Sequence, residues 1–136
     1  MTETIEFKLQ SRIESVDEAA SAAEKFARER GLSDDFIYAM DLAVRESVAN
    51  AVKHGNKFDE TKHVGLTFAD GPGGIEITIR DFGTGFRPED VPDPTDREHL
   101  LKSNGRGILF MRSFMDEVEW SNPADGGLLV RMLKKR

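Results

Sequence analysis

The chain has 136 residues, a formal net charge of −6 and 38% hydrophobic residues. This length fits one domain with one packed core, and the hydrophobic content excludes a disordered chain. The chain has no cysteine, which excludes disulfides and thiolate metal sites. We therefore expect a single domain over residues 1–136.

Nothing in the sequence indicates a membrane or nucleic-acid partner. The first residues, MTETIEFKLQ, lack the basic region and apolar run of a signal peptide. No apolar run reaches the roughly 20 residues of a membrane-spanning helix. Acidic and basic residues are interspersed, without the basic stripe that binds nucleic acid. We expect a soluble cytoplasmic protein.

A strand and a helix are predicted at the start of the chain. Residues 4–10, TIEFKLQ, alternate between polar and apolar side chains, which predicts a strand. Ser15 and Glu18 have the spacing of a capping box. This spacing predicts a helix from about Val16 to Arg30 that ends at Gly31.

A second helix is predicted from Asp34 to His54. Ser33 is its expected N-cap, and Gly55 is its expected stop. Its apolar residues recur at helical spacing, and they are Phe36, Ile37, Met40, Val44, Val48 and Val52.

The second half of the chain predicts two pairs of strands, a long loop and a further helix. Residues 64–68 and 75–79 alternate on either side of the turn DGPGG, which predicts a hairpin. The proline-containing residues 87–104 predict an irregular loop, and RGILFMRSFM predicts a helix. EVEWS and GLLVRML predict two closing strands. This order fits an α+β fold, with helices on one face of a mixed, mostly antiparallel sheet.

The first of three polar segments, RESVANAVKHGN, lies in the second predicted helix. Glu46, Asn50 and His54 recur at steps of four, so they share one helical stripe. Such a stripe is commonly a solvated face. Asn is a poor residue for a helix interior, however, because its side chain competes for backbone hydrogen bonds. An Asn oxygen binds hard cations, and a carboxylate one turn earlier can orient or deprotonate a hydroxyl.

The second polar segment, DFGTGF, spans Asp81 to Phe86 directly after a predicted strand. Its simplest interpretation is a glycine turn that leaves a sheet, although Gly83 and Gly85 also let the backbone approach a flat ligand closely. An ionised Asp81 only accepts hydrogen bonds, so it suits the exocyclic amine of adenine and rejects the carbonyl oxygen of guanine. The chain lacks the HRD and VAIK motifs that accompany DFG in protein kinases.

The third polar segment, NGRGILFM, spans Asn104 to Met111 and places glycines before a helical run. It is either a hinge between loop and helix or a phosphate site. Backbone N–H groups, the positive end of the helix dipole and Arg106 would favour phosphate. No Gly-Lys-Ser/Thr follows, so the segment is not a Walker loop. Together the three segments offer an acceptor for a base, donors for phosphates, and a metal ligand beside a carboxylate.

These segments resemble the three boxes of the GHKL superfamily of ATP-binding domains, which includes gyrase and the histidine kinases. ESVANAVKHG is similar to the N box, DFGTGF to the G1 box and NGRGILFM to the G2 box. The Glu-x-x-x-Asn-Ala-x-x-His-Gly form and the short segment between the G boxes are typical of the anti-sigma factor serine kinases. The resemblance implies the two-layer α/β sandwich of the Bergerat type.

The resemblance also implies roles for individual residues. Asn50 would bind Mg²⁺, Glu46 would act as general base or orient the attacking hydroxyl, and Asp81 would bind the adenine amine of ATP. The other implied nucleotide-binding positions are Lys53 and His54 at the nucleotide edge, Gly83 and Gly85 at the adenine pocket, Gly105, Arg106 and Gly107 at the phosphates, and Phe86 and Asn104 in the same two G boxes.

The same branch implies a function and partners. The protein would sequester a sigma factor, phosphorylate a serine of a STAS-type anti-anti-sigma antagonist, and work as a homodimer. Residues 87–104 would cover the nucleotide as a lid. Three alternatives stay open: the catalytic domain of a histidine kinase, an ATP-binding scaffold that sequesters sigma without catalysis, and a purely structural α+β domain.

Overall fold

The computed structural model describes residues 3–83 and 114–136. Within these residues two α-helices, one π-helical turn and five strands follow one another along the chain. No helix in this part of the chain has the length and apolar character needed to span a membrane. The elements are β1 (Glu3–Gln10), α1 (Glu14–Glu29), α2 (Asp34–Asn50), the π-helical turn (Ala51–Gly55), β2 (His63–Gly71), β3 (Gly74–Arg80), β4 (Glu117–Ser121) and β5 (Leu129–Lys134).

The strands form one sheet with the order β1-β2-β3-β5-β4, and each described pairing is antiparallel. The predicted first strand, the β2–β3 hairpin and the closing pair β4–β5 are confirmed. Alternate residues of β2 and β3 are fully buried, as expected for strands with one face toward a core; they include Leu66, Phe68, Ile77 and Ile79.

The core lies between the two helices and one face of the sheet. All six apolar residues that predict the second helix are buried, and they belong to a single hydrophobic cluster. Phe26 of α1 stacks on Phe68 of β2 with ring centroids 5.1 Å apart, which joins the helical layer to the sheet. This arrangement confirms a two-layer α+β sandwich.

The start of α1 differs from its prediction. The helix begins at Glu14 with Ile13 at the N-cap, and no side chain caps it. Ser15 is instead buried, and its hydroxyl donates to the carbonyl oxygen of Gln10 at 2.6 Å. The capping box predicted from Ser15 and Glu18 is therefore wrong, because the hydroxyl holds the end of β1 rather than the start of the helix.

The boundaries of α2 are confirmed at one end and corrected at the other. The Ser33 hydroxyl accepts a hydrogen bond from the Phe36 N–H at 3.1 Å, so the predicted N-cap is present. The α-helical part ends at Asn50 rather than His54. The Asn56 N–H bonds to the carbonyl oxygen of Ala51, five residues back, at 2.7 Å, so the last turn is π-helical.

Several predictions concern residues outside the described ranges. They are the loop and lid at 87–104, most of the helix predicted from RGILFMRSFM, and the nucleotide-binding positions Gly85, Phe86, Asn104, Gly105, Arg106 and Gly107.

Candidate functional site

Asp81 is the centre of the site. It follows β3 directly and is only 4% exposed. The backbone N–H groups of Gly83 and Leu128 donate to its Oδ1 atom at 3.1 and 3.2 Å. Its own N–H donates to the carbonyl oxygen of Leu128 at 3.0 Å. The carboxylate is therefore fixed between the end of β3 and the start of β5.

Two glycines allow the end of α2 to meet this carboxylate. A Cβ atom at Gly55 would lie 2.2 Å from Asp81 Oδ2, and a Cβ atom at Gly83 would lie 1.6 Å from the carbonyl oxygen of Gly55. Real side chains essentially never approach this closely, so both positions need glycine. The space beside Gly83 in that direction is filled by the protein's own backbone. The need for glycine at this position thus comes from packing, which the sequence alone did not indicate.

Gly127 closes the third side of the same cluster. It lies at φ +82°, and a Cβ atom there would lie 2.0 Å from the carbonyl oxygen of Asp81. The turn between β4 and β5 is held to the site by a second contact, in which Arg80 Nη2 donates to the carbonyl oxygen of Gly126 at 3.2 Å. Three separate segments of the chain therefore meet at Asp81.

The contact at Gly55 brings two of the predicted polar segments together. Gly55 ends the turn that follows α2, and α2 carries Glu46 and Asn50 one helical turn apart. Glu46 and Asn50 are half-buried, whereas Lys53 and His54 are exposed. Within the described residues, no hydrogen bond or ion pair joins Asp81 to Glu46 or Asn50.

Asn56 is a buried residue that sequence analysis missed. It is 2% exposed, and its Nδ2 atom donates to Ser11 Oγ at 2.8 Å and to the carbonyl oxygen of His63 at 3.1 Å. Its Oδ1 atom accepts from the Phe82 N–H at 2.9 Å. Asn56 thus ties the end of β1, the start of β2 and the residue after Asp81 to the end of the π-helical turn. In the sequence it looks like an ordinary residue after a helix stop, because its partners are distant along the chain.

Burial makes Asp81 a strong hydrogen-bond acceptor. Desolvation raises the pKa of this carboxyl above its ordinary value, and it outweighs the opposing effects of the Gly83 and Leu128 N–H groups and of the positive charges of Arg80 and Lys62. A buried carboxylate is favoured by any further donor that reaches it. The site is therefore suited to a ligand that presents an N–H group.

The oxygen atoms that Asn50 and Glu46 offer are ligands of the type that hard cations bind. Within residues 3–83 and 114–136, no group of three or more His, Cys, Asp and Glu side chains could hold a metal ion. The half-buried amide of Asn50, with the Glu46 carboxylate one turn away, offers oxygen atoms of the type that Mg²⁺ binds. Mg²⁺ commonly takes only one or two protein ligands and completes its shell with water and phosphate oxygens. The residues present fit a Mg²⁺ ion that arrives with phosphates.

The close contact between Gly83 and Gly55 predicts a large effect of one methyl group. Gly83→Ala should lower the free energy of unfolding by about 2–3 kcal/mol or more, because the backbone of Gly55 must move to admit the methyl group. Urea unfolding measures this change. Gly73→Ala is the matched control, since a Cβ atom there would meet nothing within 4 Å, and it should change stability by less than about 0.5 kcal/mol. Equal effects of the two substitutions would contradict the packing described above.

The raised pKa of Asp81 predicts how its replacement responds to pH. Because the carboxyl has a higher pKa in the folded than in the unfolded chain, its contribution to stability is present below 3.8, its ordinary value, and is lost as pH rises through the folded value. Asp81→Asn keeps an oxygen for the N–H groups of Gly83 and Leu128 and removes the charge. The stability of the variant relative to the original chain should therefore increase from pH 3.5 to pH 7, as measured by thermal unfolding. A difference that stays constant across this range would show that the charge is not buried.

Comparisons with known proteins agree with this geometry. The family model described as the histidine kinase-like ATPase domain matches residues 9–134. The serine-protein kinase RsbW of Bacillus licheniformis is 32% identical over 96% of this chain and 84% of the relative. The anti-sigma F factor of Heyndrickxia coagulans is 31% identical over 96% of this chain and 89% of the relative.

A solved structure shares the fold. The crystal structure of the RsbU and RsbW domains of Rv1364c from Mycobacterium tuberculosis matches with a TM-score of 0.68 and 16% identity, over 98% of this chain and 32% of that chain. At this identity the likeness shows the fold alone, and the present chain corresponds to about a third of that protein. The family match, the relatives and the arrangement of the N and G1 boxes around Asp81 lead to one conclusion. The chain belongs to the family of histidine kinase-like ATPase domains, which confirms the resemblance predicted from its motifs.

Proposed function

We propose that the chain is an anti-sigma factor with ATP-dependent protein serine kinase activity. The relatives named serine-protein kinase RsbW and anti-sigma F factor support this proposal. The observation that carries it is the buried Asp81 carboxylate, fixed against Gly55 at the end of the helix that bears Glu46 and Asn50. Such an arrangement offers an acceptor for a base at one end and a ligand for a metal at the other.

Asp81 would recognise the adenine base. Its carboxylate would accept a hydrogen bond from the exocyclic amine, in addition to the bonds from Gly83 and Leu128 that already hold it. Guanine presents a carbonyl oxygen in the same place, which a buried carboxylate rejects. The nucleotide would be ATP rather than GTP. The exposed residues Lys53 and His54 would lie at the nucleotide edge.

Asn50 would bind Mg²⁺ through its side-chain oxygen. When bound, Mg²⁺ neutralises charge on the phosphate groups. We also propose contacts from residues that lie outside the described ranges. The phosphates would be contacted by Gly105, Arg106 and Gly107, and the rest of the nucleotide by Gly85, Phe86 and Asn104.

Glu46 would act on the hydroxyl of the acceptor serine. As the serine oxygen attacks the terminal phosphorus, the Glu46 carboxylate takes up the hydroxyl proton, and ADP leaves with the electron pair of the broken bond. Glu46 lies one helical turn from Asn50, so the base and the metal ligand share one rigid element. A rigid helix is a precise support for such a pair.

The protein partners would be a sigma factor, which the chain sequesters, and a STAS-type antagonist, which it phosphorylates on serine. Unphosphorylated antagonist would displace the sigma factor. The chain would act as a homodimer. Two alternatives predict different chemistry: the catalytic domain of a histidine kinase would transfer phosphate to histidine, and a silent scaffold would bind ATP without transfer.

Calorimetry of the full chain tests nucleotide binding. The original chain should bind ATP with Mg²⁺ and should not bind GTP. Asp81→Asn should weaken ATP binding by about 10- to 100-fold, because it replaces a charged acceptor with an amide. Gly73→Ala, in the β2–β3 turn, serves as the control and should bind ATP normally. Equal binding of ATP and GTP by the original chain would contradict the assignment of Asp81.

Transfer of labelled phosphate tests the kinase. The full chain is mixed with Mg²⁺, labelled ATP and a STAS-domain protein from the same cells. Glu46→Gln should slow labelling of serine by about 10²- to 10⁴-fold, the usual contribution of a general base, and it should leave ATP binding largely intact.

Two outcomes of this assay would redirect the assignment. Acid-labile label on histidine would support the histidine kinase alternative, and binding without transfer by the original chain would support the scaffold. Glu29→Gln on the exposed surface of α1 is the matched control and should transfer label at the original rate.

A further inference from the structure

The loop after the π-helical turn holds two consecutive residues in an unfavourable conformation. Lys57 lies at φ +53° and Phe58 at φ +60°, and they are the non-glycine residues with positive φ in the described chain. The left-handed region is unfavourable for an ordinary residue because its Cβ atom crowds the following carbonyl oxygen. Glycine or asparagine would adopt it at less cost.

Hydrogen bonds fix this loop at both ends. The preceding residue, Asn56, is buried in the network described above, and the Phe58 N–H donates to the carbonyl oxygen of Val52 at 2.9 Å. At the other end of the loop, the Asp59 carboxylate accepts hydrogen bonds from the Thr61 N–H at 3.0 Å and from the Thr61 hydroxyl at 2.6 Å. The loop therefore presents Phe58 in a defined position.

The conformational cost is not balanced by burial of the aromatic ring. The Phe58 side chain is 52% exposed. Tyr38, the other exposed aromatic residue of the described chain, packs edge-on against Phe114 with centroids 6.2 Å apart. Phe58 has no such ring contact among the described residues. A polar residue that tolerates positive φ would reduce the backbone strain and would expose less apolar surface to water. Folding alone therefore does not account for phenylalanine at this position.

The charge around Phe58 is opposite in sign to that of the chain. Residues 53–63, KHGNKFDETKH, contain three lysines and two histidines against two acids, whereas the whole chain carries −6. With the histidines neutral, the three lysines outnumber the two acids by one, so the segment is weakly basic. Lys53 and Lys57 are exposed on either side of the π-helical turn's end. The loop is therefore a local basic surface with an aromatic residue at its centre.

Resting on the proposed function, we infer that Lys57 and Phe58 form a docking surface for the protein that receives the phosphate, and that this protein presents carboxylates around an apolar pocket. Aromatic side chains are enriched at protein interfaces, and a backbone already held in one conformation loses little freedom on association. Asn56 joins this loop to Phe82, the neighbour of Asp81, at 2.9 Å. A protein bound here would thus be positioned relative to the nucleotide.

Phe58→Asn tests the aromatic contact. Asn tolerates the left-handed conformation, so the variant should unfold at the same temperature as the original chain or higher. The KM for the STAS-domain protein used in the kinase assay should rise at least about tenfold, the effect of losing one hot-spot side chain. The dissociation constant for ATP and kcat at saturating protein substrate should not change. Phe58→Tyr keeps the ring and is the matched control, expected to retain the original KM.

Lys57→Glu tests the charge. It should raise the same KM, and the effect should shrink as salt is increased from 50 to 500 mM, because exposed charges are screened. Lys57→Arg preserves the charge and should behave like the original chain. A KM that responds equally to Glu and Arg would overturn the electrostatic part of the inference.

Three results would overturn the docking surface itself. They are an unchanged KM for Phe58→Asn, a loss of stability that shows a packing role, and weakened binding of the sigma factor alone, which would assign the surface to that partner.

Direct calorimetric titration of the STAS-domain protein separates this inference from the proposed function. If the original chain binds that protein without transferring phosphate, the kinase proposal fails while Phe58→Asn still tests the surface. If the original chain does not bind it, the docking surface fails as well.

Discussion

The burial of the Asp81 charge is the constraint on which the rest of the site depends. A carboxylate removed from water must be compensated by donors that are held in place. The described donors are the N–H groups of Gly83, just after β3, and of Leu128, just before the neighbouring strand β5. This geometry leaves no room for a side chain at Gly55, so the end of the helical layer packs directly on the carboxylate. The buried carboxylate therefore lies at the point where the two layers of the fold are joined at this end.

The features next to the carboxylate follow from this junction. The helix that carries Glu46 and Asn50 ends at Asn50, and the next five residues form a wider π-helical turn, which delivers Gly55 to Asp81 and Asn56 to Phe82. π-helical turns inside or after α-helices are frequent at functional sites. The Asn56 side chain makes three hydrogen bonds, to Ser11, His63 and Phe82, so the first residue of the following loop is held in place. The helix end, the sheet end and the adjoining loop thus meet around Asp81 and Asn56.

The parts of the structure that depend on near neighbours in the chain were predictable. The Ser33 cap, the apolar spacing of α2 and the alternation of β2 and β3 are local patterns, and the structure confirms them. The family and the fold were also predictable, because segments similar to the N, G1 and G2 boxes follow one another in the sequence, and the family match confirms the family. The role of Ser15 was predicted wrongly because the same hydroxyl can cap a helix or hold a preceding strand, and only the packing of β1 decides. Gly83 contacts Gly55, 28 positions earlier in the chain, and Asn56 bonds to Phe82, 26 positions later, and to Ser11 after β1. A local sequence pattern cannot predict contacts between residues so far apart.

Three unusual features of the described residues lie in the segment after α2 or at Asp81. The π-helical turn, the non-glycine residues at positive φ and the buried carboxylate fall between residues 51 and 58 or at residue 81. Sequences that fold well satisfy local and global preferences together, and exceptions persist where function requires them. The buried charge and the positive φ angles lower stability, and simple substitutions would remove them: a neutral residue at 81, or asparagine or glycine at 57 and 58. Their position at Asp81, or in the loop that Asn56 joins to Phe82, supports the proposed binding of a nucleotide and of a protein substrate, since burial disfavours the charge of Asp81 and the ring of Phe58 is exposed.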